Sequence, residues 1–202
     1  MSFSGNQNPD EKRVAIFASG NGTNAENIII RFRNHPVIRV VRVFCNHPGA
    51  GVISRAGKQG VPVTVFTRSD LNERKILKAL IADCIDFIVL AGFLWLIPPD
   101  IVSAYPGRIV NIHPALLPKY GGKGMYGDHV HRAVIASGDR ESGITIHLVN
   151  EHYDEGAALF QARCPVEPDD TPEKLARRIH QLEYRHFPEV IEKWITSSGS
   201  SS

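Results

Sequence analysis

Near the middle of the chain the run RIVNIH, Arg108 to His113, ends in alternating apolar and polar residues, Val110 to His113. On a strand, Asn111 and His113 share one face while Val110 and Ile112 share the other. A carboxamide and an imidazole thus stand side by side, one able to donate and accept hydrogen bonds, the other able to carry a proton near neutral pH. A strand-ending Asn beside a hydrogen-bonded core histidine would use the same two residues. Asp154, in the link EHYDEG, is the acid that could complete a catalytic group; as a residue shortly before Gly156 it also suits a plain turn. His129 and His131, in DHVH, could join His113 and Asp154 around a metal, yet neither HExxH nor another tight ligand spacing occurs, so no metal is expected. His147, within ITIHLVN, reads as a sheet histidine with its bonds satisfied. His180 and Glu183 lie three apart on a helical segment, either as a solvated pair or as a polar rim.

A second group of candidates lies in SGNGTN, Ser19 to Asn24. Gly20 and Gly22 permit tight or left-handed backbone, and Thr23 and Asn24 bring side-chain oxygens to a helix start. Backbone N–H groups and the positive end of a helix dipole suit a phosphate there, although a turn with a helix cap needs the same residues. The loose G-x-G-x-x-A pattern raises dinucleotide binding. Against it, the next strand ends at Phe44–Cys45–Asn46, with no acid to hold a ribose, and no GK[ST] follows the glycines. A third stretch, LAGFLWLIPP, carries apolar residues past a strand end into a proline-bounded loop, as the wall of a pocket or as a buried connection.

These stretches fall where strands end. RVAIFA, a helix burying Ala25, Ile28, Ile29 and Phe32, IRVVRVF, the helix GVISRAGKQG and VPVTVF follow in order. A helix grouping Ile76, Leu77, Leu80, Ile81 and Cys84, then DFIVLAG, a Pro-started helix and RIVNIH continue the alternation. That order predicts an α/β fold with a doubly wound, mostly parallel, Rossmann-like sheet. GITIHLVN and ALFQARCPV, joined by a short link, predict an antiparallel C-terminal hairpin at one edge. A C-terminal helix follows, with Thr171 as N-cap, Pro172 in its first turn, and Leu175, Ile179 and Leu182 on its apolar face. A single domain over residues 12–195 is expected, with residues 1–11 and 196–202 as disordered ends.

The 202 residues carry 23 Lys and Arg against 21 Asp and Glu, a net charge of +2 too small to point to nucleic acid or an anionic membrane. No apolar run reaches the length of a membrane span. Cys45, Cys84 and Cys164 are three and widely spaced, which suits reduced, buried thiols and a cytoplasmic protein better than a disulfide framework. The expected partners are small molecules.

Taken together, SGNGTN, LAGFLWLIP, NIHPALLPKY and the D-E-G at Asp154 resemble, over nearly the whole ordered length, the folate-dependent glycinamide ribonucleotide formyltransferases of purine biosynthesis. The resemblance implies transfer of a formyl group from N10 of 10-formyltetrahydrofolate to the amine of glycinamide ribonucleotide, with Asn111, His113 and Asp154 catalytic and no metal. It implies that Gly22, Thr23 and Asn24 hold the substrate phosphate and Glu183 the ribose. It implies that Leu94, Trp95, Leu96 and Ile97, with Val149, Asn150, Glu151, His152 and Tyr153, surround the pterin, and that Arg74 lies near the folate tail. A formyltetrahydrofolate hydrolase and a non-catalytic nucleotide-binding module are the alternatives. A homodimer is compatible with all of these readings.

Overall fold

The computed structural model of the protein describes residues 10–198. Residues 1–9 and 199–202, most of the two ends expected to be disordered, lie outside that range, whereas 196–198 close the last helix. The strands are β1 (Lys12–Ala18), β2 (Ile38–Cys45), β3 (Val63–Val65), β4 (Phe87–Leu90), β5 (Ile109–His113), β6 (Glu141–Leu148) and β7 (Ala158–Pro165). Between and after them run α1 (Thr23–Phe32), α2 (Gly51–Lys58), α3 (Arg68–Asn72), α4 (Lys75–Ala82), α5 (Pro99–Ala104), α6 (Asp128–Ser137) and α7 (Pro172–Ser198). They form one sheet in the order β3-β2-β1-β4-β5-β6-β7. Pairing is parallel from β3 through β5 and antiparallel for β5–β6 and β6–β7, as the sequence predicts. The strand order reverses between β1 and β4, and such a switch point opens a crevice beyond the carboxyl ends of the strands.

Alternation along each strand sorts the core into two layers. Val14, Ile16 and Ala18 of β1 face one layer, with Val89 of β4, Val110 and Ile112 of β5 and the inner faces of α1, α2, α6 and α7. Ala15 and Phe17 face the other layer, with Ile88, Leu90 and Ile109 and the inner faces of α3, α4 and α5. Asn111 and His113 continue the Ile109 side past the last apolar residue. Burying apolar surface on both faces holds this strand rigid, so its polar end is carried on a stiff support.

One helix departs from expectation, and another has an internal proline. α4 buries Ile76, Leu77 and Leu80, but Ile81 is 61% exposed. Cys84 is exposed too, because the helix stops at Ala82 and Cys84 takes a left-handed φ of 49°, which turns it out of the helical line. Cys45 and Cys164 are buried, as expected. α7 runs on through Pro188. A proline has no N–H to give the carbonyl four residues back, so that of Tyr184 is left free, and it accepts a hydrogen bond from Asn27 Nδ2 at 2.9 Å. The missing helical bond is replaced by one that docks α1 on α7.

Candidate active site

At the first strand end the chain leaves β1 through Ser19 and enters α1 at Gly22, whose φ of 78° lies in the left-handed region. A side chain there would be strained and would also collide with Val52 of α2, its Cβ falling 2.4 Å from that of Val52. The open space at Gly22 is therefore used by packing between α1 and α2. Thr23 and Asn24 do not cap the helix, contrary to expectation: Gly22 is the cap residue and no side chain closes it. Asn24 instead gives its amide hydrogen to Glu183 Oε2 at 2.9 Å, and His180 Nδ1 lies 2.8 Å from the same oxygen. Glu183 is buried, and its bond to His180, the largest influence on that ring, raises the histidine's pKa. The pair is a polar rim.

The loop after β4 is tied to the loop after β1. Leu94 N–H donates to Ser19 Oγ at 3.0 Å, and Ser19 N–H donates to the Gly92 carbonyl at 3.0 Å. Both loops line a cleft of about 450 Å³ that also takes in Asn111, His113 and Asp154. Leu94, Trp95, Leu96 and Ile97 contribute its apolar wall, together with Val149, His152 and Tyr153. Asn150 and Glu151 do not line it; Asn150 Oδ1 accepts the His152 N–H and shapes the turn instead. Arg74 does not line it either. It starts α4 in a left-handed conformation and pairs with Asp100 at 3.0 Å. Arg68 does not line it either, but its guanidinium lies 4.4 Å from the centre of the ring of the wall residue Trp95.

The polar centre is built from β5, β6 and the β6–β7 link. His113 is 3% exposed, and its Nε2 lies 2.7 Å from the Tyr120 carbonyl, which can only accept, so this nitrogen carries the hydrogen. Its Nδ1 is left facing Asp154 Oδ2 at 3.5 Å. Asp154 sits in a left-handed turn with φ 57°, and Gly122 N–H donates to its Oδ2 at 3.0 Å. Asn111 Nδ2 lies 3.4 Å from Asp154 Oδ1 and 3.1 Å from Nε2 of His147, its direct cross-strand neighbour. His147 is thus a member of the cluster that the sequence reading left in the sheet. Only the register of β5 against β6 reveals it, because 36 residues separate the two side chains.

Burial, only partly offset by the negative charge of Asp154, lowers the pKa of His113 and keeps the ring neutral at pH 7. Burial alone would raise Asp154; the hydrogen bonds and charges of the surrounding cluster, the Gly122 N–H among them, outweigh it and hold the carboxyl below its usual range. A neutral base beside an ionised carboxylate can take up a proton and be stabilised while it holds it. His131, weighed in the sequence only as a metal ligand, is buried in the cleft wall, with no partner for Nδ1 among the described residues. Among those residues no group of three or more His, Cys, Asp or Glu converges to hold a metal ion.

Comparison with known proteins follows the same lines. The formyl transferase family model matches residues 12–191. The chain is 43% identical over 190 residues to a chloroplastic phosphoribosylglycinamide formyltransferase of Arabidopsis thaliana, covering 91% of this chain and 65% of that relative's length. It is 36% identical to the phosphoribosylglycinamide formyltransferase of Haemophilus influenzae, covering 92% of this chain and 87% of that one. The crystal structure of glycinamide ribonucleotide transformylase 1 from Geobacillus kaustophilus superposes with a TM-score of 0.84 at 39% identity, over 92% of this chain and 99% of that one.

Proposed function

The chain belongs to the formyl transferase family, and we propose that it transfers the formyl group of 10-formyltetrahydrofolate to the primary amine of glycinamide ribonucleotide, a step of purine biosynthesis. The observation that carries this reading is the contact of Asn111, His113 and Asp154 within one cleft shared with the loop at the start of α1. The neutral amine attacks the formyl carbon, forming a C–N bond and an oxyanion to which an N–H of Asn111 donates. His113 Nδ1 takes a proton from the ammonium nitrogen, and the resulting imidazolium, held by Asp154, gives that proton to folate N10 as the bond from N10 to the formyl carbon breaks. The products are formylglycinamide ribonucleotide and tetrahydrofolate. Each step conserves atoms and charge without an oxidant or a reductant.

Backbone N–H groups at Gly22, Thr23 and Asn24 and the positive end of α1 are the proposed phosphate site, and Glu183 the ribose contact. The apolar wall from Leu94 to Ile97, with Val149, His152 and Tyr153, takes the pterin. Arg68, rather than Arg74, is assigned to the anionic folate tail, because Arg74 is already paired with Asp100 while Arg68 stacks on the wall residue Trp95. On this reading the partners are small molecules and the compartment is the cytoplasm, in keeping with three free cysteines. The test is acceptor dependence: tetrahydrofolate should form from 10-formyltetrahydrofolate only when glycinamide ribonucleotide is added. Equal release with water alone would identify a hydrolase instead.

A further inference from the structure

His147 is 2% exposed at the end of β6, where the pairing with β7 slips by one residue between Ile146 and His147. Such a slip re-aims the side chain next to it. The β7 side can approach closely because Gly156 has no side chain; a Cβ there would fall 1.7 Å from the Leu148 carbonyl oxygen. That carbonyl lies 2.8 Å from His147 Nδ1. A carbonyl cannot donate, so Nδ1 holds the hydrogen, and in the neutral ring Nε2 is then a bare lone pair. The lone pair is 3.1 Å from Asn111 Nδ2. A hydrogen must occupy that contact, and with the ring neutral it comes from the amide. If Nε2 carried a second proton, it would instead bond the Asp154 carboxylate at about 2.7–2.9 Å. The observed separation is 3.5 Å.

We infer that His147 is a positioning residue: with its hydrogen given to the Leu148 carbonyl, its free nitrogen holds the Asn111 carboxamide so that the NH2 group, and not the oxygen, faces Asp154 and the cleft. One amide hydrogen goes to His147. The other is the loosely held one, 3.4 Å from Asp154, free to turn to an oxyanion. With the amide reversed, its oxygen would meet that oxyanion and repel it. The inference rests on the proposed transfer reaction for its consequence, but its geometric part stands apart from it.

Steady-state transfer by the full chain with His147→Leu and His147→Gln tests it. His147→Leu removes the acceptor and should lower kcat on the order of 10–100-fold, since a misplaced group of this kind costs up to that much, with both KM values within about threefold. His147→Gln offers a side-chain oxygen to Asn111 and should restore most of the loss. A wild-type rate in His147→Leu, or equal impairment in the two variants, would overturn the role. Should His147→Leu fail to fold, nitrogen-15 spectra of the imidazoles in the intact protein decide the matter. A hydrogen at Nδ1 with Nε2 bare supports the inference, and a hydrogen at Nε2 refutes it. Wild-type protein that shows the Nδ1 hydrogen but no transfer would sink the proposed reaction while leaving the orientation of Asn111 in place.

Discussion

His113 has to gain and lose a proton in each turnover, and its surroundings set when it can. Burial lowers its pKa, and the facing charge of Asp154 raises it part of the way back. A base works only above its own pKa, so the acid limb of the kcat profile should fall below the ordinary histidine value of about 6.5. Removing the carboxylate charge in Asp154→Asn withdraws the raising influence. The acid limb should then move to still lower pH while the plateau drops, which a pH–rate series on both proteins would reveal. A limb that moves upward would mean that Asp154 is not the charge His113 senses. At this scale the alternation in RIVNIH was enough to pair Asn111 with His113, since a period of two is a property of the strand alone. His147 and Arg68 were not legible. His147 joins the cleft through a partner set by strand register, Arg68 touches the wall residue Trp95 through a loop's path, and local sequence encodes neither.

Among the elements, the start of α1 shows how one glycine can be required by packing as well as by the ligand role proposed for its backbone N–H. Gly22 is left-handed and pressed against Val52, whereas Gly20 has nothing within 4 Å of an added Cβ. Gly22→Ala should therefore destabilise the fold by about 1–3 kcal/mol, the usual range for backbone strain and overpacking. Gly20→Ala should stay within about 0.5 kcal/mol, as changes away from such features do. Thermal melts of the two variants without ligand would distinguish them, and equal melting temperatures would contradict the packing account. The glycine pattern pointed to this loop correctly; the identity of the helix cap did not follow, because Asn24 finds a partner in Glu183 on α7, 159 residues away. For α4 the apolar spacing of Ile81 and Cys84 misled for two reasons. Ile81 lies inside the helix but about 140° round from Ile76, at the edge of the buried stripe, and Cys84 lies beyond the helix end at Ala82, where a helical face has no meaning.

For the molecule as a whole, the order of strands and helices predicted the doubly wound sheet and its antiparallel edge, because short strand-like apolar runs alternate with amphipathic segments as far as β5 and only a short link then joins β6 to β7. The same topology brings the ends of β1, β4 and β5 to one crevice and lets the β6–β7 link deliver Asp154 into it. On the proposed reaction, the three side chains gathered there act together on one reacting carbon. The most direct test is single-turnover formyl transfer by Asn111→Ala, His113→Ala, Asp154→Ala and the double variant His113→Ala/Asp154→Ala, with binding of both substrates measured alongside. Losing one preorganised donor typically costs about 10²–10³ in rate, roughly 3–4 kcal/mol, so Asn111→Ala and His113→Ala should fall at least that far while still binding both ligands. The double variant should be far less impaired than the product of its single losses, since the two residues handle the same proton. Near-normal transfer by His113→Ala, or strictly multiplicative losses in the double variant, would contradict the account.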